Sequence, residues 1–212
     1  MQIRAEMTRK AIIDAAVELF DTRGYANVPV TDIIAHADVT KGSFHYHFLN
    51  REVVASAIIE EADVIVSQAS LAAISESASA LESFVRGGIA MTNLFQSDAL
   101  VRVGVELRGS LRHVSHVTSG FDKHRELVIL ALRNAVDGGE VRADLDINQV
   151  GHALWCAVLG NTQLCSATGE SLRERYLDLL AVFFPGICTP ESMPRLQELI
   201  QSERSSQRPA LG

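Results

Sequence analysis

One short segment of the chain carries an unusual set of polar and aromatic side chains. It spans residues 39–48, Val-Thr-Lys-Gly-Ser-Phe-His-Tyr-His-Phe, and Leu-Asn-Arg-Glu follows at once. A helix that buries one face repeats apolar residues at every third or fourth position, but here only Phe44 and Phe48 can be anchors. Ammonium, hydroxyl, imidazole and phenol groups suit phosphate oxygens and base edges. The pattern predicts a helix that reads DNA, with a merely solvated helix face as the alternative.

The residues before this segment predict the helices that hold it in place. A first helix is predicted from Thr8 to Arg23 by apolar residues at helical spacing, with Gly24 as a left-handed stop. A short second helix is predicted over residues 30–37, and Thr40 is in place to cap the third. Two short helices joined by a tight turn make a helix-turn-helix unit.

The rest of the chain is also predicted to be helical. Apolar residues recur at helical spacing throughout, and the alternation that is typical of strands is nearly absent. Asn50 is predicted to cap a long fourth helix, and Ser79 with Glu82 forms a capping box for the fifth. Five further helices follow, the last of them predicted after Thr189-Pro190. The predicted fold class is therefore all-α.

Composition and charge exclude several classes of protein. The 212 residues carry a formal net charge of −7, which excludes a protein that coats nucleic acid through a broad positive surface. The first fifty residues hold five lysines and arginines against six acidic residues, so DNA binding must depend on where the bases stand. No apolar run approaches the roughly 20 residues of a membrane helix, and no signal-peptide pattern opens the chain. We expect a cytoplasmic protein that binds no membrane.

The residues of chemical interest outside the first segment do not form a recognisable catalytic motif. The three cysteines lack C-x-x-C spacing, which predicts free thiols rather than a disulfide framework or a zinc knuckle. Hydrolase, metalloprotease and phosphate-loop motifs are absent from the sequence. We therefore expect no catalysis, no cofactor and no bound metal. His113 and His116, three residues apart, together with Glu106 leave open a small all-α enzyme that tight metal retention would support.

The N-terminal block resembles the TetR family of bacterial transcriptional regulators. The family signature is a Thr-Lys-Gly start, aromatic residues, His-Phe and a basic-acidic pair that opens the fourth helix. It stands here as Thr40-Lys41-Gly42, Phe44, Tyr46, His47-Phe48 and Arg51-Glu52. Asp38 departs from the glycine that often makes the turn, although aspartate accepts left-handed backbone better than most residues. The resemblance implies a three-helix DNA-binding domain over residues 1–50, a helical ligand-binding and dimerisation domain over 51–204, and a mobile tail over 205–212.

The resemblance and the side-chain chemistry together assign roles in a DNA interface. Lys41 and Ser43 are candidates for contacts with base edges or nearby phosphates, Gly42 allows close approach, and His45 is a sequence-reading position. The remaining residues are expected to clamp phosphates, with the amide dipole of the fourth helix assisting the last of them. They are Thr31, Thr40, Tyr46, His47 and Arg51.

A second, shorter resemblance concerns the C-terminal half. Residues 101–107, Val-Arg-Val-Gly-Val-Glu-Leu, are similar to a segment of the γ-butyrolactone autoregulator receptors of actinomycetes. Those receptors typically carry a tryptophan in the seventh helix that covers the ligand, where this chain has His124 near Phe121. The resemblance implies an apolar effector cavity among helices five to eight, with ordinary core packing as the alternative. Its expected lining is Met91, Phe95, Val105, Phe121, His124, Trp155, Leu159, Thr162 and Gln163.

The eighth and ninth helices carry more apolar surface than one bundle needs, so they are predicted to be buried on more than one side. In the family these helices form a four-helix dimer interface. Its expected residues here are Leu154, Val158, Leu177, Leu180 and Phe184. A homodimer also suits DNA reading, since two recognition helices about 34–36 Å apart reach successive major grooves of a pseudo-palindromic operator.

Two functions remain open for the whole chain besides the small enzyme. The first is a homodimeric repressor that a small apolar effector, such as a γ-butyrolactone-like signal, releases from its operator. The second is a ligand-independent DNA-binding co-regulator whose C-terminal half only dimerises, which His124 and the polar segment 109–120 favour. An effector can release the operator only through different affinities for two states of the protein.

Overall fold

The computed structural model describes residues 2–75, 77–111 and 115–206, with the side chains of residues 3–73, 75, 77–111 and 122–206. Regular structure in these ranges is helical, apart from one isolated bridge between Val141 and Cys188, and the all-α prediction is confirmed. The helices are α1 Gln2–Arg23, α2 Val30–His36, α3 Lys41–His47, α4 Arg51–Ser75, α5 Ala80–Ser97, α6 Ala99–Ser110, α7 Ser115–Asp137, α8 Ile147–Thr168, α9 Leu172–Phe183 and α10 Met193–Ser205.

Side-chain caps explain where several helices begin. Thr40 caps α3 by accepting a hydrogen bond from the Ser43 amide at 3.1 Å, and Asn50 caps α4 through the Val53 amide at 2.9 Å, as predicted. The prediction for α10 was wrong. Its first residue is Met193, because the Thr189 hydroxyl donates to a neighbouring carbonyl instead of capping a helix. The predicted tail over residues 205–212 falls mostly on residues 207–212, which lie outside the described ranges.

The turns around α2 and α3 depend on two residues with positive φ. Asp38 has φ of 50° at the tight turn before α3, so the prediction that this aspartate accepts left-handed backbone is confirmed. Gly24 has φ of 75° but ψ of 147°. Its positive φ is as predicted, yet the extended ψ sends the chain into a 3₁₀ turn, Tyr25–Asn27, rather than closing α1 in the left-handed helical conformation.

The chain divides into two compact units. The first comprises Met1–Gln68 and Leu94–Ser119, and the second comprises Ala69–Asn93 and Gly120–Gly212. In the first unit, α6 packs against α1 over an apolar core. Arg102 of α6 also forms a two-pronged ion pair with Asp21 of α1, at 2.8 and 2.9 Å. The apolar core of this unit includes Ile12, Phe20, Ile33, Phe44, Phe48, Ile58 and Leu107.

The second unit is built around α8, α9 and α10, with α9 packed against both of the others. Tyr176 of α9 is fully buried against α5, where Gly88 makes the close approach possible. A Cβ atom at Gly88 would stand 2.0 Å from the Tyr176 hydroxyl oxygen. The core of this unit includes Leu132, Leu154, Leu177, Leu180, Phe184 and Leu196. Across the described residues, no helix is both long and apolar enough to cross a membrane.

Candidate nucleic-acid interface

Helix α3 is fixed to its unit by one face and presents the other to solvent. Phe44 and Phe48, the predicted anchors, are both buried in the apolar core. The positions between and around them are exposed or half-buried, and the Tyr46 side chain is 80% exposed. The outward positions are Thr40, Lys41, Gly42, Ser43, His45, Tyr46 and His47. The predicted reading residues therefore share one accessible surface, which we call the α3 face.

The charge of Lys41 is not neutralised by a neighbouring carboxylate within the part of the chain that the structure describes. Several other bases of the first unit are paired with carboxylates. Arg9 contacts Glu61 at 2.8 Å, Lys10 contacts Asp14 at 2.7 Å, and a third pair joins Arg23 to Asp32 at 3.0 Å. Because paired bases gain little from a phosphate, the charge of Lys41 is more available to DNA than the charges of these three, in spite of the net charge of the chain.

The small residues of the α3 face leave room for a DNA backbone. A Cβ atom at Gly42 would meet only the Thr40 hydroxyl oxygen, at 4.0 Å, so packing within the chain does not require a glycine there. Thr40 accepts a hydrogen bond as the cap of α3, which leaves its hydroxyl hydrogen available to a phosphate oxygen. Thr31, in the first turn of α2, is also exposed. These features match the close-approach and phosphate roles expected from the sequence.

The structure shows contacts of Arg51 within the chain, and its predicted phosphate contact stays a prediction. One guanidinium nitrogen, Nη1, donates to the carbonyl oxygens of Tyr25 and Val28, at 3.0 and 2.8 Å. The guanidinium carbon also lies 4.2 Å from the centroid of the Tyr25 ring, within the range of a cation–π contact. Arg51 thus ties the start of α4 to the 3₁₀ turn and to Val28, which follows that turn.

The predicted effector residues are distributed over both compact units. Phe95, which is buried, and Val105, which is half-buried, belong to the first unit. In the second unit, Met91 and Leu159 are half-buried, whereas Gln163 is exposed. The Phe121 side chain lies outside the described side chains, as do those of His113 and His116 of the enzyme alternative. Two cavities of about 420 and 320 Å³ lie in the second unit, and neither is lined by an expected effector residue.

His124 and Trp155 are brought together in the second unit. Their rings stack in parallel, with centroids 5.8 Å apart and an interplanar angle of 9°. Thr162, about two turns further along α8, is buried and donates to the Val158 carbonyl at 2.9 Å. Trp155 of α8 therefore lies beside His124 of α7. His124 is the position where the receptors that the sequence resembles typically carry a tryptophan.

The residues predicted for the dimer interface are mostly core residues of the single chain. Leu154, Leu177, Leu180 and Phe184 are fully buried within one chain, so they have no surface left to offer a partner, and their assignment to the interface was wrong. Val158 is half-buried and packs against the same core. Amphipathic spacing revealed that these residues are buried, but it could not tell burial inside a chain from burial between chains.

A different face of α8 is open to solvent. None of the 22 residues of this helix is Asp, Glu, Lys or Arg, although a stripe along its length is exposed. The stripe, called the α8 face below, comprises His152, Ala153, Cys156, Gly160, Gln163, Leu164 and Ala167. Surface helices normally carry charges on the exposed side. The absence of charge over six turns is a signal in the sequence that the prediction of the interface did not use.

Two family models match the chain. The model for bacterial regulatory proteins of the tetR family matches residues 12–64, and the tetracyclin repressor-like C-terminal domain matches residues 78–182. A structure of CprB, a TetR family protein from S. coelicolor A3(2), is 30% identical and covers 93% of this chain and 98% of that chain, with a TM-score of 0.77. The chain belongs to the TetR family. It is thus a DNA-binding transcriptional regulator with a helix-turn-helix domain.

Other relatives agree with the second resemblance seen in the sequence. The A-factor receptor protein of Streptomyces griseus is 34% identical over 106 residues, which cover 50% of this chain and 36% of that protein. A structure described as a gamma-butyrolactone receptor, an ArpA-like protein, is 29% identical with a TM-score of 0.80 and covers 96% of this chain and all of that chain. The resemblance to the receptor subgroup of the TetR family is supported by both comparisons.

Proposed function

We propose that this TetR-family protein is a homodimeric repressor that binds a pseudo-palindromic operator through the α3 face. The observation that carries the proposal is that one helix, anchored by two buried phenylalanines, exposes both Lys41, which no carboxylate of the described residues neutralises, and Tyr46, which is 80% exposed. An ammonium group and a phenol presented to solvent by one helix suit phosphate oxygens and base edges. A second structure of CprB from Streptomyces coelicolor, in complex with its biological operator sequence, supports this use of the fold.

The proposal also assigns an effector, which is a small, mainly apolar molecule such as a γ-butyrolactone-like signal. Support comes from the receptors named among the relatives and from the stacked His124–Trp155 pair. The pair sets polar ring nitrogens beside a large aromatic surface, the combination typical of sites for small, mainly apolar ligands. The effector releases DNA only if it binds the DNA-free state more tightly than the DNA-bound state. To move the ratio of the two states from 1:99 to 99:1, its affinities for them must differ by about 10⁴-fold.

The dimer is proposed to form through the α8 face, in place of the buried leucines expected from the sequence. Its support is the exposed, uncharged stripe along α8, together with Val182 of α9, whose side chain is 82% exposed. Alanine and glycine at Ala153 and Gly160 allow two helices to approach closely, which improves packing between them. A twofold dimer then places two copies of α3 for successive major grooves.

The DNA-binding part of the proposal is tested by selecting bound genomic fragments with the purified protein and measuring affinity for the recovered operator. Lys41→Ala and Tyr46→Ala are each expected to weaken binding by about 1–3 kcal/mol. Lys123→Ala, at an exposed lysine of the second unit, is the matched control and should bind normally. Normal binding by both α3 variants would show that another surface reads the DNA.

The dimer is tested by sedimentation of two variants that place a charge at similarly exposed leucines. Leu164 of the α8 face is 56% exposed and Leu71 of α4 is 65% exposed. Leu164→Glu is expected to dissociate the dimer, because a carboxylate would be buried without a partner, while Leu71→Glu should sediment like the unmodified protein. A dimer that survives Leu164→Glu would place the interface elsewhere.

A ligand-independent co-regulator is the second candidate, and one observation favours it. The His124 ring already covers the Trp155 ring face, so that apolar surface is occupied without an effector. The operator complex of the purified protein should then resist release by extracts of the source organism and by synthetic γ-butyrolactones. Release by either one supports the effector-controlled repressor, and His124→Ala should change the concentration required.

A further inference from the structure

A histidine and a cysteine stand together on the exposed α8 face. His152 and Cys156 are four residues apart, so they lie one above the other on the same side of the helix. Both are exposed, and the Nε2 atom of His152 lies 3.6 Å from the Sγ atom of Cys156. The other two cysteines, Cys165 and Cys188, are buried, so this thiol is the accessible one among the three.

The separation of these two atoms fits a shared zinc ion. Zinc bonds are about 2.3 Å to thiolate sulfur and about 2.0–2.1 Å to imidazole nitrogen, and a tetrahedral angle between them sets sulfur and nitrogen about 3.6 Å apart. The observed 3.6 Å between Sγ and Nε2 therefore needs no rearrangement of α8. Two ligands one helical turn apart are also the arrangement in which helices present paired histidines to zinc.

We propose that His152 and Cys156 form one half of a Cys₂His₂ zinc site, which a second copy of the chain completes across the dimer twofold axis. This inference rests on the proposed dimer through the α8 face. A residue near the axis of a twofold interface contacts the same residue of the second chain. His152 and Cys156 of both chains together therefore supply four ligands. Within the described residues of one chain, no group of three or more His, Cys, Asp or Glu side chains could hold a metal, so the site is incomplete without the second copy.

The neighbours of the pair make the shared site sterically and electrostatically reasonable. Ala153, Ala157 and Gly160 surround it with small side chains, so two α8 helices can approach to the few ångströms that one ion must bridge. Without a metal, the imidazole and the thiol would enter the interface with the weak hydrogen bond between them and no charged group of α8 beside them, which costs free energy. Zinc satisfies both, taking the imidazole neutral and the thiol as thiolate, with one proton released from each cysteine.

The test uses the full-length protein, freed of metal with a chelator and titrated with Zn²⁺ alone. One Zn²⁺ per two chains should bind and be retained through gel filtration. Cys156→Ser and His152→Ala should each weaken this binding by more than about 100-fold, since even outer-shell partners are worth 10–100-fold. His36→Ala, at another exposed histidine, and Cys165→Ser, at a buried thiol, are matched controls that should bind zinc normally.

Co²⁺ provides a second readout, because sulfur-to-cobalt charge-transfer absorption should appear and be lost in Cys156→Ser. Three results would overturn the site: no zinc bound to a protein that sediments as a dimer, one zinc per single chain, or a disulfide between two copies of Cys156 in the freshly purified protein. Sedimentation and operator binding with chelator present separate the two proposals. If no zinc binds, a protein that still dimerises and binds operator contradicts only the zinc site, whereas a protein that stays monomeric both with Zn²⁺ and with chelator contradicts both proposals.

Discussion

Replacing Arg51 distinguishes its observed structural role from the phosphate contact that the sequence suggested. Arg51→Ala removes two hydrogen bonds from one charged nitrogen, to Tyr25 and Val28, and a cation–π contact with the Tyr25 ring. Hydrogen bonds to charged groups contribute about 1.5–3 kcal/mol each, and a partly exposed cation–π contact about 0.5–1 kcal/mol. Water replaces part of this at a half-buried side chain, so we expect the free energy of unfolding to fall by about 2–4 kcal/mol.

The assay is urea unfolding followed by far-UV circular dichroism, at one protein concentration because the stability of a dimer depends on concentration. Arg51→Lys should recover only part of the loss, since an ammonium lacks the planar guanidinium group that lies over the Tyr25 ring. Lys41→Ala is the opposite control. Its free energy of unfolding should change by less than about 0.5 kcal/mol. If it loses one phosphate contact, the slope of log operator affinity against log salt concentration should become shallower by about 0.9.

One pattern of results would refute this reasoning. If Arg51→Ala unfolds like the unmodified protein but shows the lowered salt slope, then the arginine is a phosphate clamp and its contacts with Tyr25 and Val28 contribute little. The expected pattern is the reverse, with a large loss of stability. Arg51→Ala should bind the operator as tightly as the unmodified protein when binding is measured under conditions in which the variant is fully folded.

Two further predictions concern packing and pH. Gly88→Ala should destabilise the protein by about 1–3 kcal/mol, because the new Cβ would collide with Tyr176. Gly87→Ala, on the same helix, has open space around its Cβ and should stabilise the protein by about 0.4–1 kcal/mol. Thermal or urea unfolding measures both changes. The hydrogen bond from Arg102 holds the pKa of the Asp21 carboxyl below its usual value. The pair therefore stabilises the folded protein fully above the pKa of an aspartate in the unfolded chain, about 3.9. This stabilisation is lost as the pH falls through the lower pKa of Asp21 in the folded protein. Asp21→Asn should therefore lower the urea midpoint near neutral pH, and its difference from the unmodified protein should shrink as the pH is lowered; a loss that stays equal at every pH would contradict the ion-pair explanation.

The DNA-binding unit was largely predictable because its local signals agree. Capping residues, a tolerant aspartate at the turn and two aromatic anchors all specify the same helix, and each depends on neighbours within a few positions. Arg51 is the exception. Its partners, Tyr25 and Val28, are more than twenty residues away along the chain, and nothing in the local pattern distinguishes an arginine that binds carbonyl oxygens from one that awaits a phosphate.

The C-terminal half was less predictable, since its helices are apolar on several sides. Leu154 and Leu177 have the spacing of an interface and of a core alike, and only the packed chain shows that both are core residues. The stacking of His124 on Trp155 joins residues of α7 and α8, a pairing that spacing along either helix cannot reveal. The absence of charge on α8 is readable from the sequence, and it is the reason that the proposed interface lies on this helix.

The uncharged α8 face also bears on which chains can assemble together. Interfaces that must reject related partners commonly do so by placing like charges opposite each other. A face made of alanine, glycine and single polar residues such as Gln163 has no charge with which to do this. If another regulator of this family in the same cell has similar small residues on α8, only the shape of the interface could prevent it from pairing with this protein. Mixed dimers, each with two different reading helices, are the expected consequence, and they would recognise operators with unlike half-sites.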